Sequence, residues 1–99
     1  MSLIETGNNI FILDVEYIVP LEEAEPFLEA HLEFINAQYE AGLFLASGPK
    51  VPRTGGVVLA QSNSRDKIEA TLKNDPFVEH AVARYTVTEF HPRRTVEGL

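Results

Sequence analysis

His31, Asp75 and Ser47 carry the groups in this chain from which proton chemistry on a small molecule could be built. Imidazole exchanges a proton near neutral pH, and a neighbouring carboxylate can fix its tautomer. His31 falls on the stripe Ala24, Leu28, His31, Ile35, Gln38/Tyr39, which follows helical spacing and where an aliphatic residue is the default. Two readings are open there: a core histidine with satisfied nitrogens, or a general acid or base. Asp75 precedes Pro76, and Asp-Pro is the order of an N-cap and N1 pair. Capping is therefore its first reading and catalysis its second, and the two roles do not exclude each other. In Ser47-Gly48-Pro49 the hydroxyl can donate to a ligand and Gly48 permits close backbone approach; the same triplet also reads as a strand end and turn. Lys50 and Arg53 can hold an anionic group, although exposed loop charges are more often only solvated. His80 and His91 show no partner spacing, and Asp14 and Glu16 can line an open sheet face.

Other chemistries are set aside on composition and spacing. With no cysteine, a disulfide framework, a thiolate metal site and a cysteine nucleophile are excluded, and a reducing cytoplasm suits the chain. Gly55-Gly56 belongs to no phosphate-binding or dinucleotide pattern and reads as a turn. There is no HExxH and no close histidine pair, so no dedicated metal site is expected, and no cofactor is expected because proton transfer of isomerase or lyase type needs no redox group. Ser47, His31 and Asp75 are the residue types of a hydrolase triad, but no nucleophile-elbow pattern surrounds the serine, which leaves acyl-enzyme chemistry a minor option. The net charge is −7, with eight Lys and Arg dispersed and only Arg93-Arg94 adjacent near the C-terminus, so nucleic acid is not the expected partner. No apolar run approaches the ~20 residues of a membrane span. The opening Met1-Ser2-Leu3-Ile4-Glu5 carries an acid where a signal peptide has basic residues, which points to a cytoplasmic protein without membrane association.

The elements that must position these groups follow from periodicity. The 99 residues fit one domain, expected over 9–92 between a flexible tail at 1–8 and a C-terminal tail at 93–99. Residues 9–18 alternate as a strand, with Phe11, Leu13, Val15 and Tyr17 on one face and Ile10, Ile12, Asp14, Glu16 and Ile18 on the other. A helix follows, disturbed at Pro26, where the regular part is expected to begin, and stopped by Gly42. Strands at 43–47 and 56–61 flank a segment, Gly48 to Gly55, too long for a tight hairpin and suited to the rim of a ligand site. Ser64 caps a second helix over about 65–74, Asn74-Asp75-Pro76-Phe77 breaks it, and a last strand runs through 82–90. The order β-α-β-β-α-β predicts an α+β, ferredoxin-like, four-stranded antiparallel sheet with two helices on one face. Ile10 and Ile12 oppose Phe11 and Leu13, and Leu43 and Leu45 oppose Phe44 and Ala46. A sheet apolar on both faces needs a second cover, and a homodimer packed sheet to sheet supplies it.

The stretch from Phe11 to Phe90 resembles the YciI-like family. The resemblance rests on His31-Leu32 with Phe34, then Gly42-Leu43-Phe44-Leu45-Ala46-Ser47-Gly48-Pro49, Gly55-Gly56, Asp75-Pro76-Phe77 and the strand from Tyr85 to Phe90, in that order and spacing. The family is similar in fold to the dimeric α+β barrel proteins, among them muconolactone-isomerase-like enzymes and cofactor-free monooxygenases. The resemblance implies a pocket with a functional histidine and aspartate at His31 and Asp75, and a serine at Ser47. From these readings comes the expectation of a small-molecule enzyme of isomerase or lyase type. It would act on a small organic acid, lactone or phenol, with Ser47, Gly48 and Arg53 at the substrate. The alternative is a dimer that binds a small ligand without turnover.

Overall fold

In the computed structural model, which describes residues 2–99, strict alternation makes the centre of the sheet. Strand β1 (Asn9–Tyr17) turns Phe11, Leu13 and Val15 into the core, at 3% exposure or less, and pairs antiparallel on both sides, with β3 and with β4. The sheet order is β2-β3-β1-β4, with β2 (Phe44–Pro49), β3 (Gly55–Ser62) and β4 (Ala83–Phe90). The architecture is thus the α+β, ferredoxin-like arrangement that the element order predicts.

Pro26 sets the start of the long helix. Helix α1 (Leu21–Ala24) runs into a 3-10 turn, Glu25–Phe27, and α2 (Leu28–Glu40) begins at Leu28 rather than at Pro26 itself. A proline nitrogen cannot donate to the preceding turn, so the tighter turn absorbs the interruption. Gly42, at φ +76°, ends α2 in the left-handed region that glycine adopts without penalty. Helix α3 (Arg65–Leu72) is capped by Ser64, whose Oγ accepts from the Lys67 backbone N–H at 3.2 Å. It buries Ile68 and Leu72. The short α4 (Pro76–Glu79) follows. The helices cover one face of the sheet, where Phe11, Leu13, Ile35, Phe44, Val58, Ala60 and Ile68 form one cluster and Val15, Ala24, Phe77, Val82 and Ala83 a second.

Two features of the β2–β3 hairpin differ from strict alternation. Pairing continues through Gly48↔Val57 and Pro49↔Gly56, and Lys50 N–H donates to Gly55 O at 2.9 Å, so the loop is residues 50–54 and not the whole of Gly48 to Gly55. A proline is acceptable in this position because β2 is an edge strand. The register also shifts between Phe44 and Ala46, a bulge that takes Leu45 out of the alternation. Phe44 pairs with Ala60 and Ser47 with Val58, and both partners are core residues. Without the extra residue, Phe44 and Ser47 would point to opposite faces; with it, Ser47 faces the helices.

On the other face Ile10 is buried within the single chain, while Ile12, Val57 and Phe90 are 39–42% exposed. Of the terminal segments, residues 3–8 contact the body. The nearly buried Gln61 accepts from Glu5 N–H and Asn8 Nδ2 and donates to Leu3 O, and Leu3 N–H donates to Gly98 O at 3.2 Å. Met1, the first residue of the expected tail, lies outside the described residues. Among the described residues no helix is long and apolar enough to cross a membrane.

Candidate active site

The helix stripe brings His31 over the sheet, with Leu28 and Ile35 one turn either side, and the side chain is 13% exposed. Its Nδ1 lies 2.8 Å from Oδ1 and 3.0 Å from Oδ2 of Asp75. Its ring stacks on Phe77, centroids 4.0 Å apart and planes 6° from parallel. Asp75 is fully buried. As the N-cap of α4, its Oδ1 accepts from Phe77 N–H at 2.9 Å, while Oδ2 accepts from the Tyr85 hydroxyl at 2.5 Å. The capping and the histidine-pairing readings of Asp75 therefore coexist. A buried carboxylate is costly unless its oxygens are hydrogen-bonded, and three donors converge here.

These bonds assign the histidine tautomer. A carboxylate only accepts, so a neutral His31 carries its proton on Nδ1 and leaves Nε2 as the nitrogen free for a ligand. Burial, with the adjacent Asp75 charge and the hydrogen bond to it adding to the effect, pushes the Tyr85 phenol far above its ordinary value. Tyr85 thus stays protonated and acts as a donor to the carboxylate.

In front of His31 lies a cavity of about 360 Å³. Its walls are mainly apolar, from Val15, Leu28, Leu32, Ile35, Val58 and Phe77, and its polar groups include His31, Tyr17, Ser47 and Arg53. That composition, apolar surface with few convergent polar groups, is what a small-molecule site needs. Gly48, Gly55 and Gly56 bring backbone to its edge. At Gly55 the close approach is obligatory, since a Cβ would stand 1.9 Å from the Val15 carbonyl oxygen. The Ser47 hydroxyl is 2.6 Å from the Tyr39 hydroxyl, and either can donate.

His31, Ser47, Gly48 and Arg53 thus line one cavity, and Asp75 stands behind His31 rather than in the lining. The other candidates lie elsewhere. Lys50 turns to Asp14, 2.6 Å away, and Glu16 to Arg84 at 3.4 Å, both on the helix-free face. His80 stacks on Phe27 and His91 Nδ1 is 3.0 Å from Asn9 Oδ1. Sequence reasoning missed Tyr85 and the stacking role of Phe77. A signal for Tyr85 existed: Ala83, Tyr85 and Val87 alternate inward along β4, and a tyrosine turned inward needs a partner for its hydroxyl.

A family profile described as the YCII-related domain matches residues 10–91. No curated protein matches the chain at a significant level. Among solved structures, the chain is similar to 5-chloro-2-hydroxyhydroquinone dehydrochlorinase (TftG) of Burkholderia phenoliruptrix AC1100, determined in complex with 2,5-dihydroxybenzoquinone. The TM-score is 0.71 at 17% identity, over 82% of this chain and 92% of that one. It is also similar to SnoaB, a cofactor-independent oxygenase from Streptomyces nogalater, with a TM-score of 0.51 at 16% identity, over 91% of this chain and 97% of that one. At these identities the likeness is one of fold.

Proposed function

The chain belongs to the YCII-related domain family, and on that footing we propose that it is a dimeric, cofactor-free enzyme using His31 and Asp75 for acid/base chemistry of isomerase or lyase type on a small organic acid, lactone or phenol. One observation carries the reading: the ring that lines the cavity has its Nδ1 held by a fully buried carboxylate. A histidine kept only for packing also needs its buried N–H paired, but a neutral acceptor would serve it, without the cost of burying a charge. Here the ring is fixed in the tautomer that offers a lone pair at Nε2.

In this proposal Nε2 removes a proton from the substrate, and the imidazolium formed is stabilised by Asp75. For isomerisation the same nitrogen returns the proton to a different carbon. For elimination the electron pair of the broken C–H or O–H bond expels a leaving group as an anion. Both steps balance within the substrate and need no redox partner. Ser47 and the Gly48 backbone hold a substrate oxygen, and Arg53 at the cavity wall neutralises an anionic group on the substrate. The dehydrochlorinase activity named for TftG is an elimination, which favours the lyase form. A second copy of the chain, packed on Ile12, Val57 and Phe90, completes the assembly, and the cytoplasm is its proposed compartment.

The test is a turnover screen of lactones, chlorinated phenols and enol acids with the wild type beside His31→Ala. A general acid/base role predicts a loss of about 10²–10⁴-fold in a variant that stays folded. Ligands that raise the melting temperature but are not turned over, in both proteins alike, would replace this reading with that of a small-ligand-binding dimer.

A further inference from the structure

We propose that Tyr85 is a positioning residue of this site, whose hydroxyl, donated to Asp75 Oδ2, holds the carboxylate so that His31 keeps its proton on Nδ1 and turns a bare Nε2 to the cavity. The inference rests on the reading of His31 as acid and base. The resemblance that singles out His31, Asp75 and Ser47 gives Tyr85 no part in the chemistry.

The geometry that carries it is a clamp on both carboxylate oxygens. Oδ1 accepts from Phe77 N–H at 2.9 Å and Oδ2 from Tyr85 at 2.5 Å, while His31 Nδ1 lies between them at 2.8 and 3.0 Å. A carboxylate held at one oxygen can rotate about its last bond; one held at both presents a fixed plane to the imidazole. The Tyr85 end of the clamp is rigid because it belongs to the sheet, where Tyr85 pairs with Val15 of the central strand. Its donor is also constant, since the phenol keeps its proton throughout the neutral range.

The second consequence is electrostatic. Two donors besides His31 share the charge of Asp75, so the carboxylate attracts the imidazolium less than a carboxylate bonded to His31 alone would. The titratable groups turned to the pair are His31 from α2 and Tyr85 from β4, with α4 contributing a backbone N–H. Tyr17 of β1 and Arg53 of the hairpin line the cavity that His31 faces. Among the described residues no Lys or Arg pairs with Asp75. Deleting the Tyr85 hydroxyl returns carboxylate charge to His31, which should then hold its second proton to higher pH.

The experiment follows the ring nitrogens of the three histidines by long-range proton–nitrogen NMR across pH, with His31 identified by its absence in His31→Gln. Tyr85→Phe keeps the ring and its packing. The expected result is a His31 midpoint raised by about one pH unit, a tenfold tighter proton. An unchanged or lowered midpoint overturns the proposal, since a tyrosine that only fills space would leave the titration where it was. If Tyr85→Phe does not fold, the wild type decides. A slowly exchanging Tyr85 hydroxyl proton together with a neutral His31 protonated on Nδ1 supports the clamp; a freely exchanging hydroxyl or an Nε2–H tautomer overturns it. Turnover is not the readout. A barren substrate screen with a shifted His31 titration removes the enzymatic reading and leaves the role of Tyr85 standing, and the converse removes Tyr85 alone.

Discussion

Asp75 is 44 positions from His31 in the chain, yet its Oδ1 lies 2.8 Å from His31 Nδ1 and its side chain has no contact with solvent. The same oxygen caps α4, so one carboxylate joins two helices: it begins the second and orients a side chain on the first. Stability and chemistry are therefore coupled at this residue, and they separate by the choice of substitution.

Asp75→Ala removes the cap and leaves the Tyr85 hydroxyl and His31 Nδ1 without their acceptor. A destabilisation of about 2–4 kcal/mol is expected. Asp75→Asn keeps an amide oxygen for the cap, and its cost is expected to be no more than half as large. Urea unfolding of the two variants checks this; equal losses would mean that the cap contributes nothing.

Gly55→Ala forces a methyl against the Val15 carbonyl, a backbone atom of the central strand that cannot rotate away. The strands must part there, at an expected cost of about 1–3 kcal/mol. Because Gly55 lines the cavity, ligand affinity falls as well. Thermal unfolding with and without ligand measures both effects, and a melting temperature equal to wild type would refute the close approach.

The proposed homodimer predicts a particle of twice 11.0 kDa in light scattering at micromolar concentration. Ile12 stands 39% exposed on the helix-free face, beside Leu59 of β3 and Thr88 of β4. Ile12→Asp places a charge in the proposed interface and should yield monomer or aggregate. An 11.0 kDa wild-type particle would dispose of the dimer.

The raised phenol of Tyr85 ties stability to alkaline pH. In the unfolded chain this group loses its proton near pH 10, while the folded protein retains it, so unfolding above that pH releases a proton. Its contribution is complete below about pH 10 and declines above it by about 1.4 kcal/mol per pH unit. Tyr85→Phe lacks that component, and its stability should fall less steeply between pH 10 and 11 than that of the wild type. Parallel slopes in urea titrations at stepped pH would show an unperturbed phenol.

Much of the fold was legible because it is written in short-range pattern. Period-two alternation in residues 9–17 marks β1, helical spacing puts His31 and Ile35 on one stripe, and Ser64 and Asp75-Pro76 announce helix starts by capping chemistry that acts over two or three residues. With two helices separating four strands, these local signals suffice for the βαββαβ order. The pairing of His31 with Asp75 was partly legible too, since the family resemblance singled out both residues.

Tertiary structure alone decided which other groups join them. Ser47 shares a face with Phe44 only because a bulge adds one residue against β3, and a bulge is a property of two paired strands, not of either sequence. Lys50 and Arg53, equivalent as loop cations in the sequence, part company: one pairs with Asp14 on the open face and the other lines the cavity. Tyr85 reaches Asp75 because the β1–β4 register holds its ring against the core while its hydroxyl must find a buried acceptor. Local composition determines where elements begin and which faces are apolar. The register between distant strands, set by packing over the whole core, determines which side chains those faces bring within 3 Å of one another.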